Sequence, residues 1–131
     1  GAQNSVDASN IAPLIADGGP DGELFRAAAR GQTLMAPDLL RVEVLSVIRR
    51  HLASGALNAQ QANGAVDDLL ALPITLYPTT PLLRRCWELR SNVTAYDACY
   101  VALAETLDVA LLTADEKLAK APGTRCSFVL V

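Results

Sequence analysis

Four acidic residues carry the strongest chemical signal in this sequence. They are Asp7, Glu43, Asp97 and Asp115. Glu43 and Asp97 interrupt apolar helical patterns, where a carboxylate is costly unless it is paired or binds a cation. Asp7 and Asp115 each come shortly after a run that is typical of a strand. If the four meet at one point, they form a site for a divalent metal ion.

The chemistry of such a site follows from its oxygen ligands. Two carboxylates about 4 Å apart repel by roughly 4 kcal/mol at an effective dielectric constant near 20, so a group of four needs cations to remain ionised. Carboxylate oxygens favour Mg²⁺ or Mn²⁺ over Zn²⁺. Ions of this kind activate water and neutralise charge on a phosphodiester. Phosphoester hydrolysis therefore suits these residues best.

The elements that must position the acids alternate along the chain, which predicts an α/β sandwich with a largely parallel sheet. Strands are expected at residues 1–8, 33–36, 74–77, 109–113 and 126–131. Helices are expected at 9–15, 23–30, 37–53, 58–72, 81–90, 94–105 and 115–121.

Three details of this pattern can be checked against the structure. The first strand, AQNSV, has poor strand propensity and is predicted from its context. Asp38 is predicted to cap the helix that carries Glu43. In the helix at 81–90, Leu83 and Trp87 are predicted to face the core.

Parallel topology gives the acids a common location. Ligands of open parallel sheets bind beyond the carboxyl ends of the strands, where Asp7 and Asp115 are expected. Glu43 and Asp97 come early in their helices, and right-handed connections bring those helix ends to the same edge. The spacing therefore predicts that all four acids converge there.

Composition limits the class of protein. The 131 residues, 51% apolar and 19% charged, predict one globular domain over residues 1–131. The longest apolar runs are far shorter than the ~18 residues of a membrane span, so no membrane association is expected. Cys86, Cys99 and Cys126 are typical of core residues in a reducing compartment, and no signal peptide is visible, which favours the cytoplasm.

A net charge of −3 does not decide whether the chain binds nucleic acid, because the acidic site would account for its sign. The candidate phosphate contacts are Arg41, Arg49, Arg50, Arg84, Arg85 and Arg90. Aromatic residues make up only 5%, which argues against stacking along extended single-stranded RNA. Recognition of a folded RNA by its shape and backbone fits this composition better.

Four segments together resemble the PIN-domain ribonucleases, specifically the VapC-type toxins of bacterial toxin–antitoxin pairs. They are VDAS (6–9), APDLLRVEVLSVIRR (36–50), TAYDACYVALAE (94–105) and LLTADEKLAKA (111–121). The Y-D-A-x-Y-x-A-L-A pattern and the L-T-A-D turn are the most specific parts. The sequence departs from the family at its first strand, where AQNS stands in place of apolar β-branched residues.

The resemblance implies a PIN-like three-layer sandwich and an endoribonuclease that depends on Mg²⁺ or Mn²⁺. It places Asp7, Glu43, Asp97 and Asp115 in the metal-binding positions. Thr113 and Ser9 are implied as supporting hydroxyl residues. It further implies a homodimer, inhibition by a VapB-type antitoxin, and an RNA substrate such as tRNA or rRNA.

Each acid also has a purely structural interpretation. Thr94-x-x-Asp97 and Thr113-x-x-Glu116 fit capping boxes, so Asp97 and Asp115 could serve as helix starters. Asp7 could be a turn residue. Glu43 could form a buried ion pair with one of three arginines, Arg41, Arg84 or Arg85.

Two other functions remain open from the sequence. A non-catalytic PIN-like binding or scaffold module would keep the acids without cleaving RNA. A receiver or phosphatase-like domain also uses acids at strand ends with Mg²⁺, but it requires a second acid beside the first, and here Asp7 is followed by Ala8 and Ser9.

Overall fold

A computed structural model gives the structure of this chain and describes residues 3–6 and 33–130. The predicted helices at 9–15 and 23–30, together with Asp7 and Ser9, lie outside these residues. The two described ranges form a five-stranded sheet in which every pair of neighbouring strands is parallel. The parallel sheet expected from the alternating pattern is thus confirmed.

The strands are short, as is usual for buried parallel sheets. They are β1 (Gln3–Val6), β2 (Thr33–Pro37), β3 (Ile74–Tyr77), β4 (Ala110–Thr113) and β5 (Phe128–Leu130). Their order across the sheet is β3-β2-β1-β4-β5. The poorly β-prone β1 lies at the centre, where hydrogen bonds to a neighbour on each side override its weak propensity.

Five α-helices connect or follow these strands in the described ranges. They are α1 (Leu40–Ser54), α2 (Ala59–Ala71), α3 (Leu83–Glu88), α4 (Ala95–Leu107) and α5 (Glu116–Ala119). A 3₁₀ turn, Thr80–Leu82, precedes α3. Local signals set several ends: Gly55 closes α1 with φ of 83°, a left-handed conformation that glycine adopts at little cost.

Helix α4 provides the centre of the core. Every residue from Ala98 to Ala104 is buried, and the helix packs against β1, β2 and β4. A helix that is apolar on all sides is stable only when it is enclosed. The enclosure of α4 explains why a carboxylate at its first turn is held in a fixed position relative to the sheet.

Two predictions about helices are wrong. Asp38 does not cap α1, because the N-cap position is occupied by Leu39. The backbone N–H of Asp38 instead donates to the carbonyl of Tyr77 (2.8 Å) and extends the pairing of β2 with β3. The helix starts later, after Leu39, without a side-chain cap. Leu83 and Trp87 face outward, with 52% and 68% of their surface exposed.

The outward orientation of Leu83 and Trp87 follows from which stripe of α3 is buried. Leu82, Cys86 and Leu89 form the buried face, at spacings of four and three residues. Leu83 and Trp87 each come one residue later, which turns them about 100° away from that face.

Candidate functional site

The strand order places a topological switch point between β1 and β4. From β1 the chain continues to β2 on one side, and β4 joins β1 on the other side. Val6 at the end of β1 pairs with Leu112, so both strands end at the same edge. Ligands of open α/β sheets bind at such a point, beyond the carboxyl ends of the strands.

Glu43 lies in the first turn of α1 and reaches across to α4. The hydroxyl group of Tyr100 donates a hydrogen bond of 2.5 Å to its Oε1. Tyr100 itself is 1% exposed, so the packed core fixes the position of the donor. A hydrogen bond from a buried phenol gives the carboxylate a defined orientation.

Asp97 lies in the first turn of α4, three residues before Tyr100. Residues three apart share a helix face, so Asp97 and Tyr100 lie on the same side of α4. The backbone N–H of Asp97 donates to the hydroxyl oxygen of Thr94 (3.2 Å), which is the N-cap. Thr94 is therefore the cap of α4, and Asp97 occupies its third position.

Asp115 and Thr113 lie at the end of β4. Thr113 is completely buried, and its hydroxyl oxygen accepts a hydrogen bond from the backbone N–H of Asp115 (3.0 Å). Oδ1 of Asp115 accepts from the backbone N–H groups of Lys117 (2.9 Å) and Leu118 (3.2 Å). Asp115 thus caps the short helix α5 itself, and Thr113 holds the turn.

The pKa of Cys99 is affected by acidic residues near this edge of the sheet. Burial of its thiol is the main cause that raises the pKa of Cys99 to about 12. The neighbouring thiol of Cys86, with its sulfur 3.7 Å away, raises it further, and the carboxylates of Glu43 and Asp38 add smaller contributions. Negative charge from both acids therefore reaches a side chain two residues beyond Asp97.

The alternative in which Glu43 forms a buried ion pair is not supported for two of the three candidate arginines. Arg41 donates to the backbone carbonyl of Leu72 (3.0 Å), near the C-terminal end of α2. Arg85 is engaged with Glu105 at the other end of α4.

The described residues place three of the four predicted acids. Glu43 contacts α4 through Tyr100, Asp97 lies in the first turn of α4, and Asp115 follows the end of β4. Within residues 3–6 and 33–130, no three Asp, Glu, His or Cys side chains form a group that could hold a metal ion. Asp7 and Ser9 lie outside these ranges, so convergence of all four acids stays a prediction.

Two residues of this edge had no functional role in the sequence analysis. Tyr100 belongs to the Y-D-A-x-Y pattern, and its spacing of three from Asp97 was the available signal. Asp38 directly follows β2, just as Asp7 directly follows β1 in the sequence. This shared position after a strand was the signal that could have identified Asp38.

A second cluster of charged residues lies toward the C-terminal end of α4. Arg85 donates to both carboxylate oxygens of Glu105 (2.8 and 3.1 Å) and to the carbonyl of Gly123 (2.7 Å). The backbone N–H of Arg125 also donates to Glu105 (2.7 Å). Burial alone would raise the pKa of Glu105, but the hydrogen bonds from Arg85 and Arg125 lower it below its usual value.

The three cysteines are free thiols, with Cys86 and Cys99 buried as expected for core residues. Among the described residues, no helix is both long and apolar enough to cross a membrane.

Comparison with known proteins gives consistent matches. A family model described as PIN domain matches residues 5–123. Ribonuclease VapC1 of Mycobacterium tuberculosis is 42% identical over 127 residues, which cover 96% of this chain and 96% of that protein. Ribonuclease VapC9 of the same organism is 36% identical over 126 residues, again 96% of each.

Solved structures with low sequence identity share the fold. VapC20 of Mycobacterium tuberculosis, a Sarcin-Ricin loop cleaving toxin, gives a TM-score of 0.69 at 15% identity and covers 93% of this chain and 96% of that chain. The structure of VapBC2 from Rickettsia felis, bound to a DNA fragment from its promoter, gives a TM-score of 0.66 at 12% identity. The match covers 97% of this chain and 98% of that chain. These likenesses confirm the expected sandwich fold.

Proposed function

The chain belongs to the PIN-domain family of VapC ribonucleases, and we propose that it is a metal-dependent endoribonuclease toxin that hydrolyses RNA phosphodiester bonds. One observation carries the proposal. The buried Tyr100 donates a hydrogen bond to Glu43, and Tyr100 lies three residues after Asp97 on α4, which supports a site that uses both acids. A non-catalytic module would have no need of this arrangement.

The donor set fits Mg²⁺ or Mn²⁺. Mg²⁺ is commonly held by one or two carboxylates together with waters and substrate phosphates, so Glu43 and Asp97 suffice as a protein contribution. Asp7 and Asp115 are proposed to complete the set. When bound, the ion supplies positive charge to the phosphodiester transition state and lowers the pKa of water.

The chain's own residues position the ligands. The hydroxyl group of Tyr100 orients the Glu43 carboxylate, a supporting contact whose loss typically costs 10–100-fold in metal affinity or activity. The cap at Thr94 fixes the first turn of α4 and with it Asp97. Thr113 holds the turn that leads to Asp115, and Ser9 is proposed to play a similar part beside Asp7.

The partners follow from the family. We propose inhibition by a VapB-type antitoxin, which the likeness to VapBC2 supports, and a homodimer that acts in the cytoplasm. A folded RNA such as tRNA or rRNA is the proposed substrate. The description of VapC20 as a Sarcin-Ricin loop cleaving toxin supports this choice.

The test is cleavage of total bacterial RNA by the purified protein in millimolar Mg²⁺. We expect cleavage to stop with EDTA and with Asp97→Asn, which keeps the shape of the side chain but removes its charge. Asp67→Asn, an exposed acid on α2, is the matched control and should cleave like the unmodified protein. Binding of Mg²⁺ at ten times its dissociation constant should add about 1.4 kcal/mol of stability, measured by thermal unfolding.

Two outcomes would contradict the proposal in different ways. Full, metal-dependent cleavage by Asp97→Asn would show that the site is assigned to the wrong residues. Absence of both cleavage and any effect of Mg²⁺ on thermal unfolding would favour the binding-module alternative.

A further inference from the structure

A groove of about 380 Å³ runs along α1 beside the candidate site. Its lining consists of Val42, Glu43, Ser46, Val47 and Arg50 from α1, with Tyr96 from α4. Its volume falls within the ~300–1,000 Å³ typical of small-molecule sites. Glu43 belongs both to the groove and to the candidate site, so the groove reaches a candidate metal-binding carboxylate.

The lining combines three chemical features of a nucleotide site. The Tyr96 side chain is 65% exposed and comes directly before Asp97 in the chain, so its ring is available next to the site. Arg50 is exposed and lies seven residues, about 10 Å of helix rise, from Glu43. Val42 and Val47 supply apolar surface between the charged groups.

We propose that this groove binds the RNA nucleotide next to the cleaved bond, with its base stacked on Tyr96 and its phosphate paired with Arg50. The proposal rests on the proposed ribonuclease function and adds a specificity determinant to it. Stacking on an aromatic ring contributes about 1–3 kcal/mol per base, and its strength depends on the base. A purine, with its larger ring system, is therefore preferred at this position.

The distribution of charge favours a nucleotide over a protein helix as the occupant. The groove places a carboxylate at one end and a guanidinium two helical turns away, whereas a helix-binding groove is predominantly apolar. A phosphodiester that reacts at the metal-bound end of the groove presents its flanking phosphate toward Arg50. Guanidinium groups bind phosphate in a bidentate manner.

The experiment compares cleavage sites and rates on total bacterial RNA for several variants. We expect Tyr96→Ala to slow cleavage by about 5–150-fold, equivalent to 1–3 kcal/mol, and to abolish the purine preference beside the cut, as read by sequencing fragment ends. Tyr96→Phe keeps the ring and should retain both rate and preference. Trp87→Ala removes another exposed aromatic side chain and serves as the matched control.

Arg50 is tested through salt dependence. Removing one phosphate contact should lower the slope of log kcat/KM against log salt concentration by about 0.7 in Arg50→Ala, without changing the base preference. Lys120→Ala, whose side chain is exposed, does not line the groove and is not among the candidate phosphate contacts, is the control.

Several results would overturn this inference. Unchanged rate and preference in Tyr96→Ala, with metal-dependent cleavage intact, would refute the nucleotide site alone. Equal losses in Tyr96→Phe and Tyr96→Ala would exclude stacking. A change in oligomeric state of Tyr96→Ala, measured by light scattering, would assign the groove to a second copy of the chain. Failure of the unmodified protein to cleave RNA would refute both proposals.

Discussion

Helix α4 contacts two carboxylates that are held in chemically different ways. Toward its C-terminal end, Glu105 receives two hydrogen bonds from the Arg85 guanidinium group, and its side chain is 13% exposed. Nearer its N-terminus, Tyr100 donates a hydrogen bond of 2.5 Å to Glu43 from α1. A cation is thus a partner of one carboxylate, and a neutral phenol is a partner of the other.

This difference separates structural from functional use of an acid. The guanidinium group cancels the charge of Glu105 while linking α3, α4 and the segment around Gly123 and Arg125. The phenol fixes the direction of Glu43 but adds no positive charge. An acid intended to bind a metal ion must retain its charge, whereas an acid that links elements is more stable when it is neutralised.

Replacement by Gln should therefore change RNA cleavage at Glu43 and stability at Glu105. Glu43→Gln should reduce RNA cleavage by at least ~100-fold, because losing a ligand costs no less than losing a supporting contact. Glu105→Gln should leave cleavage intact but lower the free energy of unfolding by about 2 kcal/mol, since hydrogen bonds to a charged partner are lost. Cleavage assays and urea unfolding of both variants provide the measurement. Equal losses of activity would remove the distinction between the two regions.

Tyr100→Phe tests the phenol alone. We expect cleavage to fall by about 10-fold and the Mg²⁺ concentration for half-maximal activity to rise, because Glu43 loses its orienting donor. The free energy of unfolding should change by only about 1 kcal/mol. Tyr77→Phe removes a hydroxyl group that contacts the sulfur of Met35 at 3.8 Å and is the matched control. A Tyr100→Phe variant with unchanged Mg²⁺ dependence would show that the hydrogen bond has no part in the site.

The smallest expected effect is the change in thermal stability as the pH is lowered. The pKa of Glu105 is lower in the folded chain than its ordinary value of 4.5, so the ion pair stabilises the fold above that pH. This stabilisation is lost as the pH falls through the folded-state pKa. Thermal unfolding between pH 3 and pH 6 should show a steeper loss for the unmodified protein than for Glu105→Gln. Parallel curves would mean that Arg85 does not stabilise the charged form of Glu105.

Local sequence signals predicted much of the fold. The helix predicted to end near residue 53, the strand Ile74–Tyr77, and a capping pattern at Thr94 all came from residues close together in the chain. Such features depend on backbone conformation and on hydrogen bonds within a few residues. They are therefore readable without knowledge of tertiary contacts.

Other features depend on contacts between distant residues and were not predictable in the same way. The role of Asp38 is decided by a hydrogen bond to Tyr77, and the orientation of Glu43 by Tyr100. Two apolar stripes compete on α3, and only packing against the core decides that Leu82, Cys86 and Leu89 are buried. For the candidate site, the sequence predicted Glu43 and Asp97 as ligands but gave no role to Tyr100, which contacts Glu43.

The pairing of β1 with β4 has a consequence for when the candidate site can form. Asn4 pairs with Ala110, so the two strands that flank the switch point are separated by most of the polypeptide. Such non-local pairing is slow, because a long loop must close before the contacts form. During synthesis on the ribosome, this edge of the sheet cannot assemble until β4 has emerged, so an incomplete nascent chain lacks the proposed site.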